Sequence, residues 1–136
     1  MAVINENIRI EGNGTISFGN YEVETKQKVD NFDVNGDLYT LRTHNAVTRI
    51  EKNSKLLIET VPGAAVHNMS VSPEITTFSV EGKGDTQFTL ELESDTEYTI
   101  YIDDVNLGKI KTNISGKINF SAELNNNPKD VKIEKH

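Results

Sequence analysis

The feature that most constrains the fold is a pair of alternating segments joined by a short polar run. The apolar positions share one parity: Leu90, Leu92, Tyr98, Ile100 and Ile102. Successive side chains of a β-strand point to opposite faces of the sheet, so both segments present apolar side chains to one face. The polar run over residues 94–97 carries the chain from one strand to the next. This arrangement predicts a corner of a β-sandwich.

Turn signals divide the rest of the chain into short strands. Asn35-Gly36 separates two alternating runs and predicts a hairpin, because both turn residues must accept positive φ. Further turns are predicted at Lys52-Asn53-Ser54 and Asp104-Val105-Asn106. Strands are predicted at residues 8–10, 16–18, 21–25, 38–43, 47–50, 55–61, 76–80, 87–92, 98–102, 108–112, 117–124 and 131–133, and Phe32 and Val34 end a further strand at the Asn35-Gly36 turn.

Residues 66–71 are a short strand or an irregular crossover, because Pro62-Gly63 and Ser72-Pro73 interrupt the alternation. No stretch of ten or more residues combines helical periodicity with caps. Many short strands at regular spacing predict an all-β, antiparallel sandwich of the Ig, fibronectin III or jelly-roll type. The Glu-Gly-x-Gly motifs at Glu11 and Glu81 leave two domain divisions open: one module over 1–136, or two small Ig-like units, 1–70 and 71–136.

Composition excludes several classes of function. The net charge of -7 argues against a nucleic-acid partner, which would require clustered Lys and Arg. The absence of cysteine excludes disulfides, thiolate metal sites and cysteine nucleophiles. No window has the roughly 18 apolar residues of a membrane span, so no membrane partner is expected.

The candidate ligand contacts are cationic and aromatic side chains. Arg42, His44 and Arg49 lie in a segment with a single acid, Glu51, and predict a basic strip. The strip is either a groove for an acidic sugar, whose carboxylate an Arg binds through two parallel hydrogen bonds, or an ordinary charged sheet face. Tyr101 has the opposite parity to its apolar neighbours, so its ring should be exposed and able to stack on a sugar.

Metal and catalytic sites have weaker sequence support. Acidic residues are concentrated between residues 84 and 107, where Asp103 and Asp104 are the candidate calcium ligands. The alternative for this region is a solvated acidic sheet face. Asp33 begins no EF-hand loop, because Leu38 stands where the glycine is required and His44 where the glutamate is required. No catalytic residue and no cofactor other than calcium is predicted.

The corner resembles a known family signature. Leu92-x-Ser94-x-Thr96-x-Tyr98 resembles the Leu-x-Pro-x-Thr-x-Tyr signature of fibronectin type III modules, with serine in place of proline. In that family the tyrosine hydroxyl bonds back to the backbone a few residues upstream and fixes the crossover between sheets. Residues 71–135 resemble the fibronectin III or Ig-like modules of secreted bacterial polysaccharide lyases and glycoside hydrolases. The first half, at Asp37-Leu38-Tyr39-Thr40-Leu41, is similar to sandwich regions of heparinase II/III-like and alginate lyase chains.

The resemblance implies a non-catalytic accessory module of an extracellular bacterial enzyme. Such a module binds polysaccharide or is a structural spacer that packs against its attached catalytic domain; an adhesin or surface-layer fragment is the remaining alternative. We expect a monomeric module that is a piece of a longer chain, with His136 the first residue of a purification tag. Fold resemblance alone does not define an activity.

Overall fold

Short strands joined by turns make up nearly all of the computed structural model, which describes residues 3–136 and contains no helix in that range. The thirteen strands are β1 (Ile8–Ile10), β2 (Ile16–Phe18), β3 (Gln27–Val34), β4 (Asp37–Thr43), β5 (Thr48–Lys52), β6 (Lys55–Val61), β7 (Ala64–Val71), β8 (Ile75–Gly82), β9 (Gly84–Glu91), β10 (Glu97–Ile102), β11 (Val105–Lys111), β12 (Lys117–Leu124) and β13 (Lys129–Lys135). The predicted all-β class is therefore confirmed.

The strands form two antiparallel sheets. The seven-stranded sheet has the order β1-β2-β7-β8-β13-β10-β11, and the six-stranded sheet has the order β12-β9-β6-β5-β4-β3. Each sheet alternates buried and exposed side chains, as expected when one face packs on a core and the other meets water. The sandwich prediction is confirmed, with more strands than the seven of a constant-type immunoglobulin domain.

Aromatic rings link the two sheets. Phe88 on β9 stacks on Phe120 on β12 with ring centroids 4.9 Å apart, and its centroid is 6.3 Å from that of Phe78 on β8 of the other sheet. These rings belong to one hydrophobic cluster that extends from Ile8 to Ile133 and draws on both halves of the chain. Burying a side chain of this size stabilises the fold by roughly 1.5–3 kcal/mol.

The Tyr98 corner crosses between the sheets as predicted. Strand β9 belongs to the six-stranded sheet and β10 to the seven-stranded sheet, so the intervening residues span the sandwich. The hydroxyl oxygen of Tyr98 accepts the backbone N–H of Glu93 at 3.2 Å. The backbone N–H of Leu92 donates to the carbonyl of Gly116 at 2.6 Å, which fixes the start of the corner to the end of the turn before β12.

The structure agrees with one local prediction and differs from two others. The Asn35-Gly36 hairpin is confirmed, with φ of 53° and 91°. The predicted strand at residues 21–25 is wrong: this segment is turn and coil that crosses between sheets, where the carbonyl of Val23 accepts the N–H of Asn45 at 2.8 Å. The turn predicted at Asp104-Val105-Asn106 is displaced to Asp103-Asp104, both at positive φ, and Val105 already begins β11.

Candidate functional site

The predicted ligand contacts lie on opposite faces of the sandwich. Arg42 on β4 and Arg49 on β5 are cross-strand partners on the outer face of the six-stranded sheet. His44 follows directly after the end of β4. Tyr101 lies on β10 of the other sheet, with its ring on that sheet's outer face. The structure therefore brings the two arginines together but places Tyr101 far from them.

Carboxylates neutralise much of the predicted basic strip. Arg49 Nη1 is 2.8 Å from Glu59 Oε2 and Arg49 Nη2 is 3.4 Å from Glu51 Oε2, and the hydrogen bond with Glu59 raises the pKa of Arg49. Lys52 Nζ lies 3.6 Å from an oxygen of Asp37. Within residues 3–136, Arg42 alone among the arginines has no carboxylate at ion-pair distance. A continuous cationic strip is therefore absent from this face of the described chain.

Tyr101 lines an open groove of about 260 Å³ on the outer face of the seven-stranded sheet, here called the Tyr101 groove. Thr77, Lys132 and Tyr101 are successive cross-strand neighbours on β8, β13 and β10. The ammonium nitrogen of Lys132 lies 4.4 Å from the centroid of the Tyr101 ring, a cation–π contact that orients the ring. Asp104, in the turn after β10, also lines the groove.

The acidic wall of the Tyr101 groove is held by hydrogen bonds. The hydroxyl of Ser79 donates to Asp130 Oδ1 at 2.6 Å. The backbone N–H of Asp130 donates to Asp103 Oδ1 at 2.8 Å, and the N–H of Asp103 donates back to the Asp130 carbonyl at 2.8 Å. Asp103 thus fastens its turn to β13, whereas Asp104 and Asp130 line the groove.

The two calcium candidates have different environments. One carboxylate oxygen of Asp103 already accepts the N–H of Asp130. Among residues 3–136 no group of three or more His, Cys, Asp or Glu side chains is arranged to hold a metal ion. Since calcium takes six to eight oxygen ligands, Asp103 and Asp104 would need most of them from elsewhere.

The same sheet carries a buried polar cluster that was not predicted from the sequence, here called the Glu81 cluster. Glu81 Oε1 lies 2.8 Å from His67 Nε2, and Glu81 Oε2 accepts the Tyr21 hydroxyl at 3.0 Å. Glu81 is 1% exposed and His67 is 3% exposed. Burial, together with the bond to Glu81, raises the pKa of Tyr21 to about 12. The three groups satisfy one another in an enclosed site, so the cluster fastens the crossing segment after β2 to the sheet.

No protein-family model, curated protein or solved structure matches this chain. In the described residues there is also no helix long and apolar enough to cross a bilayer.

Proposed function

We propose that the chain is a non-catalytic β-sandwich module that binds a saccharide in the Tyr101 groove. The observation that supports this proposal is the convergence of an aromatic ring, hydroxyls, carboxylates and an ammonium group on one open groove. Apart from Asp104 in the turn after β10, these side chains stand on the paired strands β8, β13 and β10, so their positions are largely set before a ligand arrives. A groove with a few convergent polar groups is the usual form of a ligand site.

The lining chemistry matches a sugar ring. A pyranose has an apolar face and a rim of hydroxyl groups. The Tyr101 ring offers a flat apolar surface with a polar tip. The carboxylates of Asp104 and Asp130 accept hydrogen bonds from sugar hydroxyls, and Lys132 donates to their oxygens.

The charge of the groove selects among saccharides. Two carboxylates, Asp104 and Asp130, face one ammonium, Lys132. This balance favours a neutral saccharide over an acidic one, because an anionic ligand would meet like charges. The acidic sugar expected at Arg42 is less well supported, since Glu59 and Glu51 already neutralise the neighbouring Arg49. An extracellular polysaccharide-degrading enzyme remains the proposed setting of the module.

Affinity electrophoresis tests the proposal. The protein is run through gels that contain neutral glucans, mannans or xylans, and through gels that contain alginate or a heparin-like glycan. We expect retardation in at least one neutral polymer and its loss in Tyr101→Ala. Arg42→Ala is the matched control, because it truncates a half-buried side chain on the outer face of the opposite sheet. Its retardation should equal that of the unmodified protein.

Two results contradict this proposal. Retardation by acidic polymers that Arg42→Ala abolishes and Tyr101→Ala preserves would move the site to the six-stranded sheet. Retention on no polymer would remove saccharide binding altogether.

A structural role is the second candidate, favoured by exposed apolar side chains at one open end of the sandwich. Ile10 and Val71 remain 48% and 46% exposed beside a groove of about 220 Å³ that Leu57 also lines. Such a patch suits packing against an attached domain. Deleting the module should then lower the melting temperature of the parent enzyme, and unchanged melting would count against this role.

A further inference from the structure

The four edges of the two sheets differ in their protection against pairing. In the seven-stranded sheet, β1 has three residues and the β10–β11 pairing shifts register between Thr99 and Tyr101. In the six-stranded sheet, the β3–β4 pairing shifts between Val29 and Phe32. Short strands and bulges are devices that prevent edge-to-edge association. Strand β12 has neither device, because its eight residues pair with β9 in an unbroken register.

The outward backbone groups of β12 can be assigned from its hydrogen bonds. The Gly116 carbonyl accepts from Leu92 and so faces β9, which turns the N–H and C=O of alternate residues from Lys117 onward away from β9. Asn113 occupies those of Lys117: its Oδ1 accepts the Lys117 N–H at 2.9 Å, and its N–H donates to the Lys117 carbonyl at 3.1 Å. The outward backbone groups of Asn119, Ser121 and Glu123 have no partner within residues 3–136.

We propose that β12 pairs antiparallel with β12 of a second copy of this chain, across a two-fold axis at Ser121. Asn119, Ser121 and Glu123 are alternate residues of one strand. All three can form backbone hydrogen bonds with the same three residues of an antiparallel copy only when Ser121, the middle one, faces its own equivalent. Ser121 then faces Ser121 of the second copy, and Asn119 faces Glu123 at both ends. This register uses every outward group that lacks a partner and joins the two six-stranded sheets into one. In a register centred on Phe120, Glu123 would instead face Lys117 of the second copy. The backbone N–H and C=O of Lys117 already bond to Asn113 and could not pair with Glu123.

Side chains on the outer face are self-complementary in the same register. The Thr89 hydroxyl donates to Asn119 Oδ1 at 2.7 Å, which leaves the Asn119 amide N–H groups to donate to Glu123 of the second copy. Lys117 and Glu123 carry opposite charges at opposite ends of β12. Across the axis they become diagonal neighbours about 7–8 Å apart, within reach of long side chains. Opposite charges on diagonal positions favour this pairing over a parallel one.

The proposal is independent of saccharide binding, because β12 and the Tyr101 groove belong to different sheets. Loss of one activity need not affect the other. The proposed dimer differs from the monomer that the sequence led us to expect. The contact consists of one strand pair and is small, so the dimer should be weak and concentration-dependent.

Single-cysteine variants test the register directly, since the chain has no cysteine of its own. Under mild oxidation, Ser121→Cys should form a covalent dimer, because hydrogen-bonded antiparallel partners have Cα atoms about 5.5 Å apart, within the range of a disulfide. Asn119→Cys is the matched control on the same strand. In the proposed register its two copies lie about 13 Å apart, four residues along the strand. Cross-linking of Ser121→Cys should exceed that of Asn119→Cys by at least about tenfold.

Sedimentation velocity between about 10 μM and 1 mM, the range suited to weak association, supplies a second readout. The unmodified protein should shift toward twice its monomer mass as concentration rises. Glu123→Lys should weaken association by placing like charges near Lys117, and exchanging both charges in Lys117→Glu/Glu123→Lys should restore it. Glu24→Lys makes the same change of net charge at an exposed position outside the strands and should leave association unaltered.

A monomeric protein throughout this range, with equal cross-linking of Ser121→Cys and Asn119→Cys, overturns the proposal. So does a dimer that Glu123→Lys leaves intact and Ser121→Cys fails to trap, because that dimer uses another surface. Circular dichroism confirms that each variant is folded, and the cysteine pair remains decisive if the charge variants are unstable.

Discussion

At the scale of single residues, the Glu81 cluster shows how a carboxylate comes to be buried on a sheet's outer face. Strand alternation points Glu81 outward, together with Thr77 and Ser79. The crossing segment after β2 then covers it, and the Tyr21 hydroxyl and His67 ring satisfy both of its oxygens. A buried carboxylate without such partners would destabilise the fold strongly. The cluster therefore ties the segment after β2 to β7 and β8.

The contribution of the Tyr21–Glu81 hydrogen bond to stability can be tested with Tyr21→Phe, by measuring the free energy of unfolding at two pH values. Between pH 10 and about 12 the folded protein keeps a proton on Tyr21 that the unfolded chain has lost. Stability therefore falls as pH rises through that interval, because the folded state binds more protons. At pH 7 the variant should lose about 1–3 kcal/mol with its hydrogen bond to a carboxylate. Its deficit relative to the unmodified protein should shrink above pH 10, as measured by urea denaturation at pH 7 and pH 11. Parallel losses at both pH values would contradict the role given to Tyr21.

At the scale of elements, the corner between β9 and β10 determines how the two sheets are joined. Tyr98 accepts the Glu93 N–H, and Gly116 approaches Leu92 so closely that a Cβ at position 116 would press on the Leu92 carbonyl oxygen. Tyr98 and Gly116 thus fix the position of the chain where it leaves the six-stranded sheet.

Tyr98→Phe should destabilise the protein by about 1 kcal/mol, because the Glu93 N–H loses its acceptor. Tyr39→Phe is the matched control: Tyr39 is also buried, but within residues 3–136 its hydroxyl makes no hydrogen bond. Thermal denaturation of both variants measures the difference. Equal melting temperatures for the two would show that the corner does not depend on the Tyr98 hydroxyl.

Local chemistry made most of the strands and turns predictable. Asn35-Gly36 requires positive φ at two successive positions, and few sequences other than Asn-Gly meet that requirement easily. The segment at residues 21–25 has the same alternation as a strand, yet its partners are Asn45 and Glu81, distant in sequence. Alternation reports which side chains are buried, and a crossing segment that buries Tyr21 alternates as a strand does.

The candidate site was predictable only in parts. Parity identified Tyr101 as facing outward, and Asp104 was singled out for its acidity. Their convergence with Asp130 and Lys132 depends on the order β8-β13-β10, which joins the last strand to the middle of the sheet. Arg42 and Arg49 were predicted to share a basic strip, but Glu59 comes from β6 and its ion pair with Arg49 follows from strand pairing.

At the scale of the whole molecule, the sandwich separates three surfaces. The seven-stranded sheet carries the Tyr101 groove, the six-stranded sheet carries Arg42, and strand β12 forms an edge of eight residues without a bulge. Because the core lies between the sheets, a ligand on one outer face leaves the other face in water. Ligand binding on one outer face can therefore be distinguished from binding on the other, either by mutating one face or by mapping ligand-induced chemical-shift changes onto the strands.

A titration followed by amide ¹H–¹⁵N spectra tests the central claim most directly. Neutral oligosaccharides are added to the labelled protein, and shifts are mapped onto the strands. If a saccharide binds in the Tyr101 groove, saturable changes in amide chemical shift should be confined to β8, β10, β13 and the Asp103-Asp104 turn. These changes should be absent in Tyr101→Ala. Shifts centred on β4 and β5, or no shift with any saccharide, would contradict the claim.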